Sequence, residues 1–213
     1  IIKTIYINFK LFPFKQAMIL PIAIGRYTTV KIKRGGIQIN SSLNPFIILF
    51  SIGGSQDLYD YQFKKSYLEI KERTVIFNGP ACFAPHCSLF VSNSKLVFGE
   101  KFSCNNGCRF SAIVGIEFGN NCLLGGNIVI RDSDGHSVYE VDSDGNERNV
   151  HENKKPVRIG NHVWIGSEGY ILKGTKIPDD TIVAYGSLCT KAFDGGNQII
   201  AGVPAKIIKN KVN

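Results

Sequence analysis

From residue 157 onward, apolar residues recur at every sixth position. The run VRIGNH VWIGSE GYILKG TKIPDD TIVAYG SLCTKA places Ile159, Ile165, Ile171, Ile177, Val183 and Cys189 at one position of the hexad. Two residues earlier stand Val157, Val163, Gly169, Thr175, Thr181 and Ser187, each small or β-branched. Side chains at i and i−2 of a strand share a face, so both sets point into one interior. After each interior residue comes Gly160, Gly166, Leu172, Pro178, Ala184 or Thr190, mostly types that suit a sharp bend. Short strands that bend every six residues cannot bury an apolar face alone, and they do so by stacking coil on coil. The pattern therefore predicts a β-solenoid in which three bends of about 120° close a triangular coil, with the backbone ladder running between coils. The spacing does not set the hand of that coil.

Upstream the spacing returns at Phe118, Leu124 and Ile130, with Ile116, Cys122 and Ile128 two residues before them, and at Phe98, Cys104 and Phe110. A weaker set is Phe77, Phe83 and Leu89. The count slips by two residues between 110 and 118 and by three between 89 and 98, which predicts whole coils with bulged corners. Before residue 75 the pattern fades: Ile22, Ile24, Ile32, Ile37 and Ile39 suggest early, irregular coils, and SQDLYDYQFKKSYLEIKE a surface excursion. IIKTIYINFK has apolar residues at 1, 2, 5, 6 and 9, a helical spacing, so residues 1–19 are expected to form a helical arm. The β-helix is expected over 20–193, interrupted by an excursion at 131–156. Residues 194–213 suggest a loop, a short strand and a helical tail starting near Pro204.

The length, 213 residues, suits one substantial core, so residues 1–213 are expected to form a single domain. With 44% hydrophobic and 20% charged residues and 22 scattered glycines, the chain has the composition of a globular protein with many turns rather than a disordered one. A net charge of +8 raises nucleic acid as a partner, but the basic residues are dispersed and no arginine-rich run or aromatic RNA-binding signature occurs, so no nucleic-acid partner is expected. From Lys154 onward nine Lys and Arg face four Asp and Glu, which points to an anionic small ligand there. Cysteines 82, 87, 104, 108, 122 and 189 form no C-x-x-C pair, and several fall on interior positions. Buried, reduced thiols in a cytoplasmic protein are expected rather than a metal site. The apolar N-terminus has no basic leader or small-residue cleavage site. FPFKQAMILPIAIG is interrupted by Lys15 and two prolines, too broken to span a bilayer, and leaves room for peripheral contact with a membrane. The expected location is the cytoplasm, including the inner face of the membrane.

DGHS (134–137), IGNHVWIG (159–166), YGSLCTK (185–191) and AGVPAKIIK (201–209) carry a resemblance that covers residues 96–209. In order and spacing the chain resembles the hexapeptide-repeat acyltransferases. Within them it is similar to the maltose and galactoside O-acetyltransferases and their relatives that acetylate capsular and other surface polysaccharides. The resemblance implies an all-β fold, a left-handed parallel β-helix with an N-terminal helical segment, an extruded catalytic loop and a short C-terminal helix. It also implies a homotrimer with acetyl-CoA in a groove between neighbouring β-helices, and a sugar or polysaccharide acceptor.

In such a transfer a hydroxyl loses its proton as it attacks a thioester carbonyl. A histidine with a pKa near 6.5 is largely neutral at cytoplasmic pH and suits the task. By the resemblance His136 is that base, on a loop that should fold over the acceptor pocket. Asp132 and Asp134 are candidates for acceptor binding or for holding the second imidazole nitrogen, and equally for stabilising the turn. Asn105 matches an asparagine that contacts the acceptor and steadies the transition state, although a corner residue bonding its own backbone is nearly as good a reading. Ile113 stands where the sugar acetyltransferases have an acceptor-binding aspartate, which leaves the sugar open.

For the donor, Ser167 matches the residue whose backbone amide faces the thioester, Trp164 the aromatic beside the thiol end, and Tyr185 and Gly186 the groove wall. Thr190, Lys191 and Lys206 match positions near the nucleotide phosphates, and each lysine taken singly is as well explained as a solvated surface charge. His86, His151 and His162 receive no catalytic role, and their spacing does not suit the zinc carbonic anhydrases built on the same repeat. The expected activity is acetyl-CoA-dependent O-acetylation of a sugar hydroxyl by direct transfer, with no metal required. The alternatives are N-acylation of a nucleotide-linked amino sugar, acylation of serine or a drug hydroxyl, and a non-catalytic scaffold subunit.

Overall fold

Ile159 pairs in parallel register with Ile177, Ile165 with Val183 and Ile171 with Cys189, so each hexad position meets itself one full coil later. The computed structural model describes residues 1–53, 65–72, 74–151 and 153–210. Every third strand joins the same sheet, giving parallel sheets of nine, seven and six strands around one interior, a β-helix of the left-handed class. Only the last strand of the nine-stranded sheet runs antiparallel.

The solenoid begins earlier than the hexads suggest. Its first coil is Ile22–Ile24, Thr28–Ile32 and Ile37–Ile39, and its second is Ile48–Phe50, Ser66–Ile70 and Thr74–Phe77. The stretch expected as a surface excursion therefore ends in a core strand, with Ser66, Leu68 and Ile70 buried between neighbouring coils. A polar inward residue at 66 hides the alternation, and pairing on both edges overrides it. The part of that stretch within 54–64 lies outside the described residues.

The slipped count upstream belongs to lengthened coils. Phe83 pairs with Cys104, and Cys104 with Leu124, so these coils are longer than those downstream. They enclose Phe77, Phe83, Phe98, Phe102, Phe110 and Phe118, whose rings meet at centroid distances such as 4.5 Å for Phe98–Phe102. Phe98 is stacked between Phe77 and Phe118 at 5.3 Å on each side. The extra residues fall at the corners 92–94 and 113–115, and the eighteen-residue coils downstream hold Ile, Val and Cys. Cys87, Cys104, Cys108, Cys122 and Cys189 are buried, while Cys82 is half-buried.

Helix Ile2–Leu11 and the short helix Phe14–Ala17 cover the open end of the first coil. Ile22–Ile24 is an edge strand, and its backbone groups need partners. Asn8 supplies them, its Nδ2 donating to the Ile22 carbonyl at 2.7 Å and its Oδ1 accepting from the Ile22 amide at 3.1 Å. The Ile24 amide donates to Thr4 Oγ1 at 3.1 Å. No helix among the described residues is long and apolar enough to cross a membrane.

The expected C-terminal helix is absent from the described residues. Residues Ala205–Asn210 form a strand that folds back antiparallel on Gln198–Gly202. The last parallel strand would otherwise leave its backbone unpaired at the end of the solenoid, and the returning chain satisfies it.

Candidate active site

The motif residues gather on two of the three corner columns of the triangle. On the first, between the nine- and seven-stranded sheets, successive coils place Asn105, Gly125, Gly126, Ser167, Tyr185 and Gly186 one above another. The Asn105 amide donates to the Leu124 carbonyl at 3.0 Å, and the Gly186 amide to the Ser167 carbonyl at 3.0 Å. The Gly126 amide donates to Ser167 Oγ at 3.0 Å. Glycine is required where coils come this close: a Cβ on Gly125 would lie 2.5 Å from the Ser167 nitrogen, and one on Gly166 would lie 2.7 Å from that of Tyr185.

Ser167 is therefore held through its hydroxyl and its carbonyl, while its amide has no acceptor among the described residues. A fixed N–H donor facing outward from a stiff wall can stabilise developing negative charge without reorganising. Trp164 and Tyr185 are exposed beside it, and Lys206 pairs with Ala201 on the terminal strand that continues the same column. The Asn105 side chain has no partner among the described residues. Asn106, which sequence reasoning passed over, has a buried Oδ1 with none either. Directly beneath, the Cys87 thiol donates to the Asn105 carbonyl and the Cys108 thiol to that of Gly125. The sulfurs of Cys87, Cys104 and Cys108 lie within 4.8 Å of one another, the one soft-donor group among the described residues close enough to share a metal ion. Burial pushes the Cys87 and Cys104 thiols up, while hydrogen bonds with Cys104 and then Cys87 hold Cys108 down.

The second column, between the seven- and six-stranded sheets, carries the excursion. Its two arms are joined by a Ser133–Lys154 bridge and by the Asp134 amide donating to the Asn153 carbonyl at 2.9 Å. Its tip is a hairpin of Tyr139–Val141 and Glu147–Asn149, exposed at every strand residue, so in the single chain it stands clear of the solenoid rather than folding over a pocket. His136 is exposed on it, and its imidazole has no partner among the described residues.

Asp132 is not available to an acceptor or to His136. It is 0% exposed, and its carboxylate accepts from the amides of Ile113, Val114 and Gly115 at 2.6–3.0 Å, holding the bulged corner that the slipped count foretold. Ile113 thus serves here through its backbone amide. Asp134 is exposed and bonds His151 Nε2 at 2.7 Å and Lys173 Nζ at 2.9 Å, not His136. The hydrogen bond from His151, and then Lys173, hold its carboxyl below the ordinary value. Neither partner was foreseeable, because the returning arm of the excursion brings in His151 and the stacking of the next coil brings in Lys173. Thr190 and Lys191 lie in the same region, lining with Asp134, Lys155 and Lys173 a cleft of about 480 Å³.

The expected donor residues are thus divided. Ser167 and Tyr185 stand on one corner, Thr190, Lys191 and the loop of His136 on the next, separated by a hexad side of at most about 20 Å. Within one chain the described residues do not bring His136 to Ser167.

No protein-family model matches the chain. Over 121 residues it is 31% identical to the galactoside O-acetyltransferase of Escherichia coli strain K12, covering 56% of each protein. Over 127 residues it is 39% identical to the polysialic acid O-acetyltransferase of Neisseria meningitidis, covering 59% of this chain and 57% of that protein. The chain spans about half the length of the curated relatives it matches. In fold it is similar to AntD, an N-acyltransferase from Bacillus cereus solved with dTDP-4-amino-4,6-dideoxyglucose and coenzyme A. The TM-score is 0.52 at 16% identity, over 96% of this chain and 91% of that one, a likeness of fold alone.

Proposed function

We propose that the chain is a hexapeptide-repeat acetyltransferase that transfers an acetyl group from acetyl-CoA to a sugar hydroxyl in surface polysaccharide biosynthesis, a reading supported by its likeness to the galactoside and polysialic acid O-acetyltransferases. The single observation that carries this reading is the Ser167 amide, fixed on a corner of closely stacked backbone with no acceptor of its own among the described residues.

The acceptor hydroxyl gives its proton to His136 Nε2 or Nδ1 as its oxygen attacks the thioester carbonyl; the C–S bond then breaks, and the departing coenzyme A sulfur takes that proton from the imidazolium, leaving the sugar ester and a free thiol. The Ser167 amide donates to the carbonyl oxygen as negative charge develops there, and Asn105 steadies the same centre. Trp164, Tyr185 and Gly186 form the wall along the pantetheine, and Lys206, Lys191 and Thr190 take the phosphates, with Lys155 and Lys173 adding positive charge to the cleft. No metal takes part. Because the two corners face different directions, the working site lies at a seam between copies, and a homotrimer closes three such seams. With acetyl-CoA as donor the reaction belongs in the cytoplasm.

Two measurements on the intact chain test this. Acetyl-CoA should raise the melting temperature, because a ligand that binds only the native state stabilises it. Free-thiol release should then appear with a sugar hydroxyl acceptor. Release only with amino sugars would move the chemistry to nitrogen, and no shift with no release would leave a scaffold.

A further inference from the structure

Helix Ile2–Leu11 is mounted with its polar side inward. Thr4 and Asn8 face the β-helix and are used up on the backbone of Ile22 and Ile24, together with buried Ile7 and Leu11. The apolar stripe that gives the segment its helical spacing faces the opposite way. Ile2 is 86% exposed, Ile5 41%, Tyr6 62% and Phe9 40%, and on the next short helix Phe14 is 69% and Met18 60%. The Phe9 and Phe14 rings meet edge to face at 5.8 Å, so the two helices present one continuous patch. A patch of this kind on a water-facing surface marks a place where something else binds.

The sequence that forms the arm and the first coil carries charge of one sign, and of its basic residues Lys31 is paired with Glu69 of the second coil at 3.9 Å. Residues 1–56 hold seven basic residues, Lys3, Lys10, Lys15, Arg26, Lys31, Lys33 and Arg34, and no Asp or Glu, so this quarter of the chain carries nearly all of the net +8. Lys10, Lys15, Lys33 and Arg34 are exposed. Lys3 and Arg34 donate to the carbonyls of Arg26 and Phe12, joining the first coil to the arm.

We propose that the N-terminal helical arm docks this face on a membrane surface bearing anionic headgroups, with the apolar side chains inserted among the acyl chains and the basic ring at headgroup level. A ten-residue helix cannot span a bilayer, but an apolar face rimmed by lysine lies stably in the interface. Anionic lipid answers both halves of the patch at once, adding electrostatic attraction for each basic residue near the surface. The arm caps the first coil, whereas Ser167 sits on the sixth, five coil steps of about 4.8 Å away, so a docked molecule keeps its corners open to water. This inference depends on no catalytic assignment and stands or falls separately from the proposed reaction.

The test is co-sedimentation of the full chain with phosphatidylcholine vesicles, with and without about 30% phosphatidylglycerol, at low and high salt. The chain is expected to pellet with the anionic vesicles at least tenfold more strongly than with neutral ones, and less as salt rises. Phe9→Ser with Phe14→Ser should abolish pelleting, and Lys10→Glu with Lys15→Glu should remove the anionic preference. Phe14→Ser with Met18→Ser serves the same purpose if the first pair fails to fold. Equal or absent pelleting with the two vesicle types overturns the proposal. So does a fall in solution mass on Phe14→Ser with Met18→Ser without vesicle binding by the parent, which would assign the face to a second copy.

Discussion

Lys173 Nζ lies 2.9 Å from the Asp134 carboxylate, tying the arm that carries His136 to the sixth coil. His151, on the returning arm, bonds the same oxygen at 2.7 Å, so one carboxylate gathers both ends of the excursion. A reaching loop gains a fixed origin from this contact, and a base on such a loop needs one.

Asp134→Asn is therefore expected to lower kcat about tenfold with little change in KM for the donor, and Lys173→Met to lower kcat likewise while also raising that KM, because Lys173 lines the phosphate cleft. The melting temperature should hardly move, since exposed ion pairs are worth about 0–1 kcal/mol. Steady-state kinetics beside thermal melts separate these effects, and equal losses in kcat and in stability would make the contact merely structural.

The same contact has a pH signature. The Asp134 carboxyl is held below its ordinary value of 3.8 by the hydrogen bond from His151 and then by Lys173. A depressed carboxyl contributes fully above its ordinary value and loses that contribution as pH falls through its folded value. The tie should be intact at neutrality and released only below about pH 4. Amide protection factors in 133–138, taken relative to the intrinsic rate at each pH, should fall across that window for the parent and be low throughout for Asp134→Asn.

Asp132→Ala should destabilise the fold by at least about 3 kcal/mol, because it strands three amide donors beneath a buried corner. Chemical denaturation measures this. A variant as stable as the parent would mean that the 113–115 bulge does not depend on that carboxylate.

Phe98→Ala should cost about 3–5 kcal/mol, since its ring is fully buried between Phe77 and Phe118 and the wide coils cannot close on the void. Phe98→Leu should cost less than half as much by the same measurement.

The downstream coils were legible to the residue: Ile159, Ile165 and Ile171 sit where their spacing puts them, because Ile-sized and Val-sized interiors keep the six-residue count. Upstream the count slipped at the corners 92–94 and 113–115, the second of which is held by the buried Asp132 carboxylate that spacing does not display. Ser66–Ile70 and Ala205–Asn210 were misread because neighbouring strands, rather than local pattern, make them strands. In the candidate site, motif positions were visible but not their division between two corners, which only the coil geometry supplies. Asp132 looked chemical because a sequence displays a carboxylate and not the backbone amides around it. His151 was set aside for want of a motif, and its contact with Asp134 arises from the fold of the loop.

The most direct test of a site shared between copies is complementation. His136→Ala should lose about 10²–10⁴ in turnover while keeping acetyl-CoA binding. Trp164→Ala with Tyr185→Ala, on the exposed corner wall, should lose donor binding and therefore turnover. When the two inactive proteins are dissociated, mixed and reassembled, activity should return, because some seams then join an intact loop to an intact corner. If the mixture stays as inactive as its components although mixed oligomers have formed, loop and corner serve one another within a single chain, and the seam is not the site.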